Sequence, residues 1–485
     1  MNVRTAPKVT IVRFAPWMTF QNSHPHDLMW PCAVLYAAGI ARKKGWNVDV
    51  CDLHVEPLKR DEIVDRITST NPDLVLLDTM TPTAGLAFEV AALVAERRPN
   101  LQIVGVGQHA SEATDHLLRD GTAYTGVLRG EYEEAFGELL DGATLASIDG
   151  SVVRGPDGLI TNGNRREISD VDGLPLIDPR GIPTDRYRMR SVSVPQMGRV
   201  RWGNLLTSRG CPYPCTFCSP TLRQSYGRGY RAHSAERVVD DMARLHTDHG
   251  ITAWYMIDDV FSLNKQRVID ICDGLAKKKL PMHWTIQTRA DLLDKDVCDA
   301  LVRGGCTAVK MGIESGVPRI LKQIRKNETA PEMLDAARMI RKSGLQLTAY
   351  YMLGHPTETL DDIAETMRYA RDIDADMIQV AFHTPYPGSK TWETYRERIT
   401  DLNELNHYET QHLNASEVSS EELERLQREF YLKYYFSPRI FTRYLKNRLL
   451  YRATDLGEWE LAFGSLKYLL GARGLADKTK EKAHA

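Results

Sequence analysis

The stretch 207-TSRGCPYPCTFCSP-220 places three cysteines, Cys211, Cys215 and Cys218, within eight positions. The next histidine, His233, lies fifteen residues beyond the last of them. Thiolates select zinc or iron with sulfide, and a structural zinc site closes with four ligands at short spacing. A set of three argues against zinc. It fits an iron–sulfur cubane with one iron left without a protein ligand, open to a small molecule that chelates through an amine and a carboxylate. An electron carrier gains nothing from such a vacancy. Incidental loop cysteines and a non-catalytic iron–sulfur sensor are the other readings of the same residues.

Downstream of the cysteines, short apolar runs alternate with amphipathic stretches. NLLTS, AWYMIDD, MHWTIQT, AVKMGIES, QLTAYYML and MIQVAFHT read as strands, with helices between them from SAERVVDDMARLHTDHG to TLDDIAETMRYARDI. This predicts a partial parallel β/α barrel over residues 201–400, with the cysteine motif directly after its first strand, on the rim where barrel chemistry gathers. Upstream, KVTIVRF, NVDVCDL, DLVLLDT, LQIVGVG and TGVLRG alternate with helical stretches in the same way. Residues 1–145 therefore read as an α/β, doubly wound Rossmann-like domain. In such a sheet a ligand lies beyond the strand C-termini, where FAPWMTF, DTMTPT and GVGQHAS would gather. Residues 146–200 are turn-rich, with a hairpin at GPDG, and read as a linker. Strand signals stop near residue 400, and a helical C-terminal region, 401–485, begins in earnest at SSEELERLQREFYLKYYF.

At 485 residues the chain has room for about three folding units. Its 62 basic and 64 acidic side chains leave a formal charge of −2, which gives no bulk attraction to nucleic acid. No run approaches the roughly 20 apolar residues of a membrane span, and the N-terminus lacks a signal core, so a cytoplasmic protein is expected. The other five cysteines, Cys32, Cys51, Cys272, Cys298 and Cys306, are scattered and read as buried small apolar residues.

With Phe217 ahead of the third cysteine, CPYPCTFC resembles the CxxxCxxC signature of the radical S-adenosylmethionine enzymes. The resemblance implies that the three cysteines hold a 4Fe–4S cluster whose open iron binds S-adenosylmethionine. An electron from the cluster would then cleave the sulfonium to a 5′-deoxyadenosyl radical. It also implies cosubstrate contacts at the strand ends: Asp258 and Asp259 at the methionine amine, Gln287, Thr288, Arg289, Glu314 and Ser315 at ribose and carboxylate, and Leu353, Gly354 and His355 beside adenine.

The doubly wound domain ahead of the cysteines, closed by GVGQHAS and VLRGEYEEAF, is similar to the cobalamin-binding branch of that superfamily. That similarity implies a cobalamin site including Thr79, Gly105, Gly107, Gln108, His109, Gly130 and Glu131. One departure is visible. The loop after the first strand, RFAPWMT, lacks the histidine of the DxHxxG pattern, and Asp52 and His54 in DLHVEP follow the second strand without its glycine. Cobalamin is therefore expected without histidine ligation, with His54 an ordinary strand-end residue. The implied activity is methylation of an unactivated carbon in a small molecule, a secondary metabolite or a lipid-like compound. Oxidative cyclisation of the anaerobic porphyrin cyclase type is the alternative. A flavodoxin or ferredoxin is the implied electron donor.

Substrate-side candidates are Tyr350, Tyr351, Gln379, His383 and Tyr386, each of which also reads as a packing residue with its polar tip satisfied. Arg223, Arg228 and Arg231, interleaved with Tyr226 and Tyr230, read equally as an anion clamp or a solvated loop. The aromatic and basic tail FYLKYYFSPRIFTRYLKNRLLYR is expected to pack across the barrel mouth, with membrane contact the less favoured reading.

Overall fold

A computed structural model describes residues 6–15, 27–164, 167–189, 200–218, 226–227, 229–399, 401–402, 405, 407 and 414–443. Strands β1 (Lys8–Arg13), β2 (Asn47–Asp52), β3 (Leu74–Asp78), β4 (Gln102–Val106) and β5 (Gly126–Leu128) form a parallel sheet in the order β2-β1-β3-β4-β5. The hairpin of β6 (Ser151–Gly155) and β7 (Gly158–Thr161) extends this sheet antiparallel to β5. The middles of β1, β3 and β4 are buried and mostly apolar because helices cover both faces. Val9 and Ile11 pack with helix Cys32–Lys43, while Val12 packs with helices Arg60–Ser69 and Ala84–Arg97. The strand order reverses between β1 and β3, the switch point beyond whose C-terminal strand ends a doubly wound sheet holds its ligand crevice.

The second sheet holds β8 (Trp202–Leu205), β9 (Ala253–Met256), β10 (His283–Thr288), β11 (Cys306–Glu314), β12 (Gln346–Leu353) and β13 (Met377–Phe382), all parallel and in sequential order. Its first and last strands do not pair with each other, so the barrel is partial. The crossover helices start where the sequence places a cap. Ser234, Asn264, Asp294, Thr329 and Thr359 each accept a hydrogen bond from the backbone N–H three residues on. Alternation along the strands separates two faces. Trp254, Trp284, Met311, Ala349 and Val380 join the core under the helices, while Tyr255, Gln287 and Lys310 share the other face. There the Tyr255 hydroxyl donates to Gln287 Oε1 at 3.1 Å, and Lys310 Nζ lies 3.8 Å from the Tyr255 ring centre.

The open edge of β13 is covered by helix Ser420–Tyr435. Gln427 Nε2 donates to Val380 O at 2.8 Å, and the N–H groups of Val380 and Ile378 donate to the hydroxyls of Tyr431 and Tyr435 at 2.8 and 2.9 Å. The spacing of four puts these three side chains on one helix face, and they stand in for a missing neighbouring strand. This is a different role from packing across the barrel mouth; the tail beyond Arg443 lies outside the described residues. Among the described residues no helix is long and apolar enough to cross a membrane. Tyr431→Phe leaves the Val380 N–H without its acceptor and is expected to lower stability by about 1–2 kcal/mol, read as a shift in urea midpoint at constant slope.

Cys32, Cys51, Cys272, Cys298 and Cys306 are buried and free, as small apolar residues would be. The segment between the sheets packs on the first domain: the Tyr187 hydroxyl donates to Asp52 Oδ2 at 2.6 Å.

Candidate active site

The cysteine loop leaves β8 through a short antiparallel ladder in which Ser208 and Arg209 pair with Ala232 and Arg231. Gly210 follows at φ +84, and a side chain there would collide with the Gly229 carbonyl, so the turn into Cys211 requires glycine. Cys211 is buried, and Cys215 and Cys218 are partly exposed; none is in a disulfide. The Thr216 N–H donates to Ile324 O at 2.9 Å, which ties the loop to the segment after helix Pro318–Gln323. Tyr213 lies against the Arg289 guanidinium at 3.7 Å, and the Phe217 ring meets that of His355 at 6.2 Å.

Asp258 accepts from the Thr207 N–H and hydroxyl, both at 2.6 Å, and from the Ser208 hydroxyl at 2.7 Å. Its carboxylate thus fixes the strand end that leads into the cysteines. Asp259 beside it is partly exposed, and burial together with the Asp258 charge holds its carboxyl well above the usual range. Gln287 is engaged by Tyr255. Arg289 makes a two-point contact with Asp291 at 2.9 and 3.0 Å and donates to Lys326 O at 3.0 Å. Ser315 is fully buried, with its hydroxyl 3.0 Å from that of Thr366.

Glu314, at φ +65, pairs with buried Lys326 at 3.3 Å, and Lys326 pairs with Glu328 at the same distance. Lys326 and Glu328 were not legible in the sequence. They sit on a strained loop where Arg325 and Asn327 have φ of +53 and +54, and nothing in RKNE announces that conformation.

At the ends of β12 and β13, Glu358 accepts from the N–H groups of Gly354 and His355 at 2.6 and 3.1 Å. Burial pushes the Glu358 carboxyl up to about 8. Leu353 and His355 are fully buried, and the His355 and His383 rings lie 5.6 Å apart. Neither His355 ring nitrogen, nor His383 Nε2, has a hydrogen-bond partner among the described residues. Orphaned buried polar atoms of this kind call for a ligand. Burial lowers His383 to about 4, so the folded state resists protonation that the unfolded chain accepts near 6.5. Stability from this group is complete above pH 6.5 and is lost as pH falls toward 4, by an amount on the order of 3 kcal/mol. His383→Phe is expected to flatten urea midpoints between pH 4 and 6.5 while changing little at pH 7.5; an unchanged profile would contradict the burial argument.

Of the other substrate-side residues, Tyr350 pairs in register with Gln379, and both are partly exposed. Tyr351 points the other way, buried with its ring 5.2 Å from Phe430, which makes it a packing residue. Tyr386 Oη lies 3.0 Å from His407 Nδ1. Arg231 is held by Glu131 and by the Ile168 and Tyr226 carbonyls rather than facing out as a clamp; Arg223 and Arg228 lie outside the described residues.

In the first domain, Gly107, Gln108 and Gly130 are partly exposed at the crevice rim, while Thr79, His109 and Glu131 are buried. Gly107 has φ +91, and a side chain there would fall on Asp78 Oδ1. Gly105 is crowded by Val127 and Tyr124 and serves packing. His109 is 2.9 Å from His116 Nδ1 and 3.2 Å from the Thr81 hydroxyl. The Gly130 N–H donates to Ser111 Oγ at 2.9 Å. Glu131 turns its carboxylate to Arg231 at 2.7 Å and to the Ile168 N–H at 2.5 Å. His54 Nε2 lies 3.2 Å from the Phe14 carbonyl, and burial depresses its pKa strongly.

Residues 205–370 match the radical SAM superfamily and residues 25–140 match the B12 binding domain. An uncharacterized methyltransferase of Pyrococcus horikoshii is 32% identical over 422 residues, covering 85% of this chain and 89% of that protein. The chain belongs to the cobalamin-binding radical SAM family. Its cofactors are accordingly a 4Fe–4S cluster, S-adenosylmethionine and cobalamin. The anaerobic magnesium-protoporphyrin IX monomethyl ester cyclase of Rubrivivax gelatinosus is also similar, 26% identical over 76% of this chain and 67% of its own length. The cobalamin-dependent S-adenosylmethionine radical enzyme OxsB shares the fold with a TM-score of 0.70 at 18% identity, covering 96% of this chain and 76% of its own.

The residues fit these groups. Among the described residues no three His, Cys, Asp or Glu side chains close on a single metal ion, and a cubane, whose ligands bind separate irons, does not ask them to. Orphaned imidazole nitrogens beside the cysteine loop and a glycine-lined crevice in the B12-binding domain leave polar contacts and backbone approach for organic ligands.

Proposed function

We propose that this radical SAM enzyme transfers a methyl group from S-adenosylmethionine, by way of cobalamin, to an unactivated carbon of a small molecule. In this reading Cys211, Cys215 and Cys218 hold the cluster, and Gly107, Gln108 and Gly130 border the cobalamin. Bound together, the three cofactors supply a reductively generated hydrogen-abstracting radical and a transferable methyl group. The observation that carries the reading is one of placement. Arg209, two residues before Cys211, forms a buried ion pair with Glu133, three residues after Gly130. That contact sets the cysteine loop beside a rim of the crevice, an adjacency that neither a sensor nor an electron carrier uses.

The chain's own groups then divide the work. Asp258 fixes the approach to the cysteines. Arg289 and Lys326 supply positive charge on the side of Cys215, and each is raised in pKa by its acidic neighbours. His355 and His383, both neutral at pH 7, offer hydrogen bonds without charge beside the segment that resembles the adenine contact. In this reading Tyr350 and Gln379, partly exposed neighbours on β12 and β13, would meet substrate. Methyl transfer is favoured over cyclisation because the relative described as a methyltransferase is the more similar, at 32% against 26% identity. A flavodoxin or ferredoxin would deliver the electron.

The test is anaerobic reconstitution with cobalamin and strong reductant. Methyl transfer forms both 5′-deoxyadenosine and S-adenosylhomocysteine, since one cosubstrate is cleaved and another donates its methyl group. 5′-Deoxyadenosine without S-adenosylhomocysteine would select cyclisation, and neither product would select the sensor.

A further inference from the structure

Arg209 is 2% exposed, and both its carboxylate partners come from the other domain. Its Nη2 donates to Glu133 Oε1 at 2.6 Å, and its Nη1 lies 3.5 Å from Glu131 Oε1. Glu131 Oε2 accepts from Arg231 at 2.7 Å, so two arginines on the barrel side face two glutamates on the B12-binding side in a largely buried quartet, with the exposed Glu167 carboxylate 3.5 Å from Arg231 Nε at its edge. Tyr36 of the first domain and Tyr226 flank the Arg209 guanidinium at 5.3 and 5.0 Å. Stability does not account for this arrangement. Arg209 Nε and Nη1, Glu131 Oε1 and Glu133 Oε2 make no hydrogen bond among the described residues, and a buried network left partly unsatisfied gains little over apolar packing. What such a network does supply is register between the parts it joins, and Arg supplies it through a planar, pre-organised fork.

The covalent neighbours make that register consequential. Arg209 is separated from Cys211 only by Gly210, whose fit against the Gly229 carbonyl leaves no slack. Glu131 follows Gly130, whose N–H is held by Ser111 on helix Gln108–Glu112, which begins directly after Gly107. A shift at the quartet therefore reaches the cysteine loop on one side and two crevice loops on the other.

We propose that Arg209 is a positioning residue that sets the separation and orientation of the cobalamin crevice relative to the cysteine loop. The inference rests on the assignment of cluster and cobalamin under Proposed function. The experiment uses the holoenzyme carrying cob(II)alamin together with the reduced cluster, and reads the dipolar coupling of the two paramagnets by pulsed EPR. Iron content, cobalamin content and thermal unfolding are recorded alongside. R209M and E133Q are expected to keep both cofactors at wild-type content while losing the single, well-defined coupling in favour of a broad distribution. R209K, which keeps a charge for Glu133 but loses the fork, is expected to recover the coupling in part.

An unchanged coupling in R209M and E133Q overturns the proposal, as does cofactor loss with unchanged coupling in the doubly loaded remainder. Should R209M not fold, E133Q decides alone, since it removes one charge and keeps the shape. A wild-type protein that loads neither cofactor overturns the assignment beneath the proposal, whereas a loaded wild type with an unmoved variant overturns the proposal only.

Discussion

Cys215→Ala is expected to abolish cluster loading and 5′-deoxyadenosine formation while leaving bound cobalamin at the wild-type level. The loop offers three thiols; Cys32, Cys51, Cys272, Cys298 and Cys306 are buried outside it, and Cys32, packed on β8, turns its Sγ to Asn204 O at 3.6 Å. Two thiolates cannot hold a cubane that three hold with one iron already open. The loop itself should survive. Its tie at this point is the backbone N–H of Thr216 on Ile324 O, and alanine does not disturb it. Arg289 and Lys326 each feel the charge at Cys215, but both retain carboxylate partners when it is gone. The measurements are iron and sulfide per chain, cobalamin per chain and 5′-deoxyadenosine after reduction. Retained iron with retained cleavage would sink the assignment of Cys215, and stoichiometric zinc in the wild type would sink the cluster.

The parts of this architecture that were legible in the sequence are those set by local rules. Strand runs such as LVLLD and QLTAYYML, closed by Gly, Asp or a capping Thr, fall where the strands and helices form because burial on both faces and N-capping are written within a few residues. The cysteine motif was legible for the same reason. The role of the tail was not, since its aromatic stripe reads first as a face for the barrel mouth, and only the open edge of β13 turns Gln427, Tyr431 and Tyr435 into its cover. The loop 324–328 was missed because two non-glycine residues take the left-handed region there, held by contacts remote in sequence. Glu131 illustrates the limit most clearly. It sits one position past a crevice glycine, yet its carboxylate is engaged by Arg231, a hundred residues away, and no local pattern encodes that pairing.

Gly107→Val is expected to do the reverse of the cysteine substitution: cobalamin content should fall to near zero while iron loading and cosubstrate cleavage persist. At φ +91 a β-branched residue is strained by about 1–3 kcal/mol before any contact is considered. Its Cβ would also fall on Asp78 Oδ1, with the Thr79 N and O both at 3.2 Å. Those atoms cannot retreat easily. The Thr79 N–H is bonded to Val106 O and the Thr79 carbonyl to the His109 N–H, each at 3.0 Å, so the ends of β3 and β4 and the start of the next helix would have to move together. That movement reshapes the crevice at the switch point, where the cobalamin reading places its ligand. Gly45→Ala is the control: Gly45 has φ +80 but nothing within 4 Å of a Cβ, so it should cost a comparable backbone strain and leave cobalamin bound. Gly107→Ala should fall between the two. A Gly107→Val protein that still binds cobalamin stoichiometrically would remove the crevice as its site, whereas loss in both Gly107→Val and Gly45→Ala would trace the effect to general destabilisation of the first domain.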